Sequence, residues 1–195
     1  MADPVLLLLL LDFGLIAALP RIFFRRDGSF NARWWSTALP VGATPVVLVL
    51  GRALPLDPIV PAGWLAMTGL VAVAAAALSI GLIALTLGTH RIPIALWHQN
   101  DDAPRHLVTW GAYRLIRHPF YAAFLLAFAA AFLAFPHWLT AAALVYMTVM
   151  LNAVAAREER RLSDSEFGAE YREYVERSGR FLPRLTPAGQ PEVTS

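Results

Sequence analysis

The chain has 195 residues, of which 57% are hydrophobic, 15% are charged and none is cysteine. An ordinary soluble domain carries roughly 25% charged residues, so the composition points to a lipid-embedded protein. It excludes intrinsic disorder, a disulfide scaffold and any cysteine-based metal or nucleophile site.

Apolar stretches fall at 4–20, 38–56, 59–87, 119–135 and 138–156. A helix crossing the hydrocarbon core needs about 20 apolar residues, within a range of about 17–25, so five crossings are predicted and a large second soluble domain is ruled out. The first stretch follows Asp3 and its arginines come after it, the reverse of the order in a signal peptide, so it reads as a retained helix. Asp12 inside it is costly in lipid. Two placements stay open: facing other helices, or hydrated at the outer interface. The second stretch contains Pro40, Gly42 and Pro45 and is expected to be kinked or shallow. The third has no charge and is rich in small residues, Gly69, Ala72, Ala74 to Ala77 and Gly81, which lets neighbouring helices approach closely.

Between the third and fourth stretches lies a loop of about thirty residues, 88–118, and connections of that length more often carry function than slack. The fourth and fifth are joined only by Pro136-His137 and therefore form an antiparallel hairpin. Ala123, Ala127 and Ala131 give the fourth helix a small face for that contact. Trp34, Trp35, Trp64, Trp97, Trp110 and Trp138 fall near the predicted span ends as an aromatic belt. After the fifth stretch, Phe167, Tyr171, Tyr174 and Val175 share one face at helical spacing, which predicts an amphipathic helix lying on the membrane domain, with Gly179 as its stop. Residues 186–195 are expected to be disordered.

All sixteen basic residues are arginine. Arg21, Arg25, Arg26 and Arg33 follow the first stretch, Arg91, Arg105, Arg114 and Arg117 precede the fourth, and seven follow the fifth, leaving only Arg52 on the other side. By the positive-inside rule the N-terminus is outside and the C-terminus cytoplasmic. The formal charge of +2 thus reports orientation and attraction to membrane lipids, and gives no sign of a nucleic-acid groove. The expected fold is an all-α integral membrane protein. It has an N-terminal three-helix region at 1–87 and a functional region of loop, hairpin and C-terminal helix at 88–185. The absence of lysine beside abundant alanine and arginine points to a GC-rich genome and a bacterial inner membrane.

The fourth helix is entered through Leu107-Val108-Thr109-Trp110-Gly111-Ala112-Tyr113-Arg114-Leu115-Ile116-Arg117-His118-Pro119-Phe120-Tyr121. Pro119 suits a first helical turn, where its missing N–H costs nothing. Free backbone N–H groups there, beside Arg117 and His118, would receive an anionic ligand group. The fifth helix leaves through Arg157-Glu158-Glu159-Arg160-Arg161-Leu162, then Phe167-Gly168-Ala169-Glu170-Tyr171-Arg172-Glu173-Tyr174 and Arg180-Phe181-Leu182-Pro183. Read alone, the first segment is equally a basic helix start and the second a solvated charged face.

Taken together, the Arg-His-Pro-x-Tyr at one mouth of a terminal hairpin, the Glu-Glu at its exit and the Phe-Gly-x-Glu-Tyr-x-x-Tyr and Phe-Leu-Pro that follow resemble the isoprenylcysteine carboxyl methyltransferase family and its phospholipid methyltransferase relatives. The resemblance covers about residues 88–185; the first three spans match only in being apolar. It implies an S-adenosylmethionine-dependent methyltransferase acting on a lipophilic carboxylate, amine or thiol at the cytoplasmic face. Carried over, it implies cofactor contacts from His106, Leu107, Val108, Tyr113, His118, Pro119 and Tyr121, with Arg117 completing the motif. Glu158 or Glu159 would close the pocket and serve the reaction. The chain departs from the family in having Ala112 where proline is frequent, Ala123 near a frequent glycine, and one extra residue between Leu162 and Phe167. In a continuous helix that residue would turn the acidic pair by about 100 degrees, leaving open which glutamate faces the cofactor.

Methyl transfer from a sulfonium depends chiefly on alignment, and a carboxylate acceptor needs no base. An amine acceptor would need one, from Glu158, Glu159 or His118. Two competing readings are an NADPH-dependent sterol-type reductase, which also carries an Arg-His-Pro-like motif, and a non-enzymatic membrane subunit. The former would show a Lys-Tyr-Gly-x-x-Trp-like end where this chain has Phe167-Gly168. His90, His98 and His137 lack metal-ligand spacing.

Overall fold

The computed structural model describes residues 3–19, 29–54, 56–89 and 107–184. Among these the chain forms α1 (Pro4–Ala18), α2 (Ala32–Ala53), α3 (Leu65–Thr89), α4 (Pro119–Ala134), α5 (Trp138–Ser163) and α6 (Gly168–Arg177), with 3-10 turns at Ala62–Trp64 and Gly111–Arg114. His106, Trp97, His90, His98 and the tail 186–195 lie outside the described residues.

Local chemistry sets the helix ends. Asp3 caps α1, its Oδ1 accepting from the backbone N–H groups of Val5 at 3.0 Å and Leu6 at 3.2 Å, and Pro4 takes the first helical position. The other Asp3 oxygen pairs with Arg52 at 2.9 Å, which joins the start of α1 to the end of α2. Asn31 caps α2, so this helix starts six residues before its apolar stretch and runs through Pro40 and Pro45. Pro119 opens α4. His137 caps α5 in a reciprocal box with Thr140, which turns the chain sharply between the two helices of the hairpin.

Three of the apolar helices are long enough to cross a membrane, spanning Trp34–Ala53, Ala62–Thr89 and Trp138–Ser163. The remaining two, α1 and α4, have 15 and 16 residues. At 1.5 Å per residue they measure only about 22 and 24 Å, short of the roughly 30 Å hydrocarbon core. The five apolar stretches are therefore all helical, while three of them reach spanning length. Asp3-Pro4 and Leu19 bound α1, and the prolines at 119 and 136 bound α4.

The helices alternate in direction. One end of the bundle gathers the start of α1, the end of α2 and the α4–α5 turn, where Ile59 N–H donates to the Pro136 carbonyl at 2.8 Å and the Phe135 ring lies against Gly51. Arg52 is at this end. A shallow groove of about 500 Å³, lined by Val5, Arg52, Leu65 and Ala134 among others, also opens there. The opposite end holds the end of α3, the mouth of α4, the exit of α5 and all of α6.

Packing is tightest between α3 and α4. Ala72, Ala76, Ser79, Ile83 and Thr86 make the buried stripe of α3, in alternating steps of four and three residues. Ala123, Ala127 and Ala131 of α4 are fully buried, as their spacing predicts. Their helix meets α5, but it packs more extensively on α3, where Ser79 reaches the Ala123 carbonyl at 2.9 Å. Phe13 and Phe128 meet edge to face at 5.1 Å and hold α1 against α4, an arrangement worth about 0.5–1.5 kcal/mol beyond its buried area. Asp12 faces other helices: its side chain is fully buried and Ser79 Oγ lies 2.9 Å from Oδ1.

Candidate cofactor-binding site

The approach to α4 is built on Gly111, whose φ of +60° lies in the left-handed region that favours glycine. A Cβ at this position would collide with the Thr89 side chain. That close approach lets Thr89 Oγ1 accept the Ala112 N–H at 3.3 Å, so the end of α3 pins the turn. The turn buries Ala112 and Tyr113, and the Tyr113 carbonyl accepts the Tyr174 hydroxyl at 2.6 Å. Tyr171 and Tyr174, the predicted apolar face of α6, are both buried. The amphipathic helix is thus present and docked.

A short strap, residues 178–181, then closes on the mouth of α4. Ile116 and Gly179 form a parallel bridge. Gly179 N–H donates to the Leu115 carbonyl at 3.1 Å, Arg117 N–H to the Gly179 carbonyl at 2.8 Å and His118 N–H to the Arg180 carbonyl at 3.1 Å. Gly179 is required by space: a Cβ would sit 1.6 Å from the Leu182 carbonyl oxygen.

This strap delivers Arg180 to the acidic pair. Arg180 grips both Glu159 oxygens, Nε to Oε1 at 3.1 Å and an Nη to Oε2 at 2.5 Å, while its other Nη donates to Asn152 Oδ1 at 2.7 Å. Arg117 Nε donates to Glu159 Oε1 at 3.0 Å and its Nη1 to the Ser178 carbonyl at 2.5 Å. Glu158 points elsewhere and accepts the Tyr121 hydroxyl at 2.7 Å. α5 ends at Ser163 and a turn separates it from α6, so the extra residue before Phe167 is absorbed there and both glutamates stay at the mouth with different partners.

His118 lies between the two carboxylates, Nδ1 at 3.5 Å from Glu158 and Nε2 at 3.3 Å from Glu159. Neither contact is an aligned hydrogen bond, and Nε2 is buried without a partner among the described residues. The ring stacks on Tyr121 at 5.2 Å and 3°. Burial lowers the His118 pKa below its ordinary 6.5, and the adjacent Glu159 only partly offsets this. Burial pushes Tyr113 and Tyr171 well above their ordinary value and Tyr174 up to about 12, so all three remain protonated donors. The hydrogen bonds to Glu159 raise Arg180.

Of the residues the sequence singled out, Arg117, His118, Tyr121, Glu158 and Glu159 meet in one cluster. Pro119 is buried at its edge, and Tyr113 joins through Tyr174. Val108 is buried and Leu107 half-buried just ahead of the turn. Sequence reasoning missed Ser178 and the part played by Arg180. The signal for Arg180 was its position directly before Phe181-Leu182-Pro183, a cation beside a quoted motif.

An apolar helical bundle that gathers its polar chemistry at one end, where a hairpin opens, defines a membrane-embedded protein with a charged mouth. The family model described as phospholipid methyltransferase matches residues 65–170, which takes in α3, the turn, the whole hairpin and the first part of α6. The chain belongs to the phospholipid methyltransferase family and so to the membrane methyltransferases. No curated protein and no solved structure matches it.

Proposed function

We propose that this protein is an S-adenosylmethionine-dependent methyltransferase acting on a lipophilic acceptor at the cytoplasmic face of a bacterial inner membrane. Residues 88–185 bind the cofactor and residues 1–87 form the membrane scaffold. The observation that carries the reading is the meeting of Arg117, His118, Tyr121, Glu158 and Glu159 at one helix mouth, under a strap that adds Arg180.

The residues present fit the cofactor. It bears an ammonium, a carboxylate, a ribose and an adenine, and the mouth offers a buried imidazole nitrogen that makes no aligned hydrogen bond among the described residues, a stacked aromatic pair and both signs of charge. His118, Tyr121, Tyr113 and Glu158 would hold it, with Val108, Leu107 and Pro119 as further walls. When bound it supplies an electrophilic methyl group. The protein supplies position and dryness, and orientation alone is worth up to about 7–11 kcal/mol.

The two glutamates divide the work. Glu159 is committed to two guanidinium groups and fixes the strap, so it acts by positioning. Glu158 accepts the Tyr121 hydroxyl and lies beside His118, the two side chains assigned to the cofactor, so it is the carboxylate placed toward a ligand. A carboxylate acceptor would need no base in such a site. For an amine acceptor, His118 is neutral at pH 7 and would accept the proton. Membership of a methyltransferase family favours this reading over nicotinamide-dependent reduction or a subunit without activity.

Isothermal titration of the detergent-solubilised protein with S-adenosylhomocysteine tests the site: saturable binding that is lost in His118→Ala is expected. Absence of binding by the wild type would overturn the reading. Mass spectrometry of lipid extracts incubated with isotopically labelled S-adenosylmethionine would then identify the acceptor class.

A further inference from the structure

We infer that Asp12 is a positioning residue that keeps its proton in the folded protein and uses it to tie α1, α3 and α4 together just inside the mouth of α4. Ser79 Oγ lies 2.9 Å from Asp12 Oδ1 and also 2.9 Å from the Ala123 carbonyl oxygen. Three oxygens in a row require two hydrogens if both contacts are hydrogen bonds. The carbonyl has none to give and a serine hydroxyl has one. The second must come from Asp12, so the carboxylic acid donates to Ser79 and Ser79 donates to Ala123.

The surroundings agree. Asp12, Ser79 and Ala123 are all fully buried, and Asp12 Oδ2 has no partner among the described residues. An ionised carboxylate there would leave a charge in apolar surroundings with one bond, a far costlier arrangement than a neutral acid. No counter-charge is at hand among the described residues. α3 carries no titratable residue, and the one in α4, Tyr121, turns its hydroxyl to Glu158. The charged residues of α2, Arg33 and Arg52, are at its two ends, and Arg52 is paired with Asp3.

Placement gives the tie its purpose. Ala123 comes one turn, about 6 Å, after Pro119. Its carbonyl keeps a second lone pair beyond the one the helix uses, and Ser79 fills it. Tyr121, on the same turn, reaches Glu158 on α5. The first helix of the chain, which carries no motif residue, is thereby coupled to the segment that presents His118 and Tyr121.

Infrared difference spectroscopy, wild type minus Asp12→Asn, tests the proton directly. At pH 7 the expected result is the carbonyl stretch of a protonated carboxylic acid, displaced in Ser79→Ala because its partner is gone. A difference spectrum containing only carboxylate bands would overturn the inference. Thermal unfolding in detergent is the second measurement. Asp12→Asn, whose amide also donates, should melt within a few degrees of wild type, and Asp12→Ala well below it. Wild type should lose stability at alkaline pH where Asp12→Asn does not; identical alkaline profiles would count against the proton. Neither measurement needs a ligand or turnover, so failure of the methyl-transfer reading leaves both outcomes interpretable.

Discussion

Glu159 and Glu158 are neighbours with different partners, and substitution separates them. Glu159→Gln removes the anion between Arg117 and Arg180 while its side chain is only 13% exposed, leaving two guanidinium groups facing each other. Loss of one partner from such a network costs about 2–4 kcal/mol, so chemical denaturation in detergent should show a marked fall in stability together with weaker cofactor binding. Glu158→Gln removes the charge beside His118 but keeps an amide oxygen that accepts the Tyr121 hydroxyl, so it should change stability by about 1 kcal/mol or less, yet lower methyl transfer tenfold or more. His118 sets the acid limit. Its folded pKa is below 6.5, so at pH values just under 6.5 the unfolded chain binds the proton and the folded one does not. Stability contributed by neutral His118 is thus present above 6.5 and declines as the pH falls toward the lowered pKa. Melting temperatures between pH 6.5 and 5.5 should drop in wild type and drop less in His118→Asn.

Elements, unlike single contacts, are largely legible in the sequence. Pro119 marked the start of α4 because a missing N–H is free of penalty only there, and Pro136-His137 left the hairpin no other geometry. The face shared by Tyr171 and Tyr174 predicted a docked α6. The strap was not legible. A one-pair bridge between Ile116 and Gly179 has no periodicity, and its partners are separated by the entire hairpin. The Asp12–Ser79 contact was equally hidden, since it joins positions 67 apart that periodicity treats separately. Arg180 escaped because a surface arginine and a clamp look alike until the glutamate is placed. The strap has a sharp test in Gly179→Ala, where the new methyl would strike the Leu182 carbonyl. Backbone displacement of this kind costs about 1–3 kcal/mol. The variant should remain helical by circular dichroism while its affinity for S-adenosylhomocysteine falls at least tenfold.

At the scale of the whole molecule, nearly every described arginine lies at the end that holds the charged cluster, and Arg52 lies at the other. The orientation that follows can be read by labelling, because the chain has no cysteine of its own. A cysteine replacing exposed Asp57 should react with a membrane-impermeant maleimide added to intact spheroplasts. One replacing Leu182, which is 78% exposed, should react only after the membrane is opened. The strap also sets an order of events during synthesis. Arg180 comes after both helices of the hairpin in the chain, so the walls that carry His118 and Glu159 precede the strap that joins them. The mouth can therefore close only once α4, α5 and α6 are all in place.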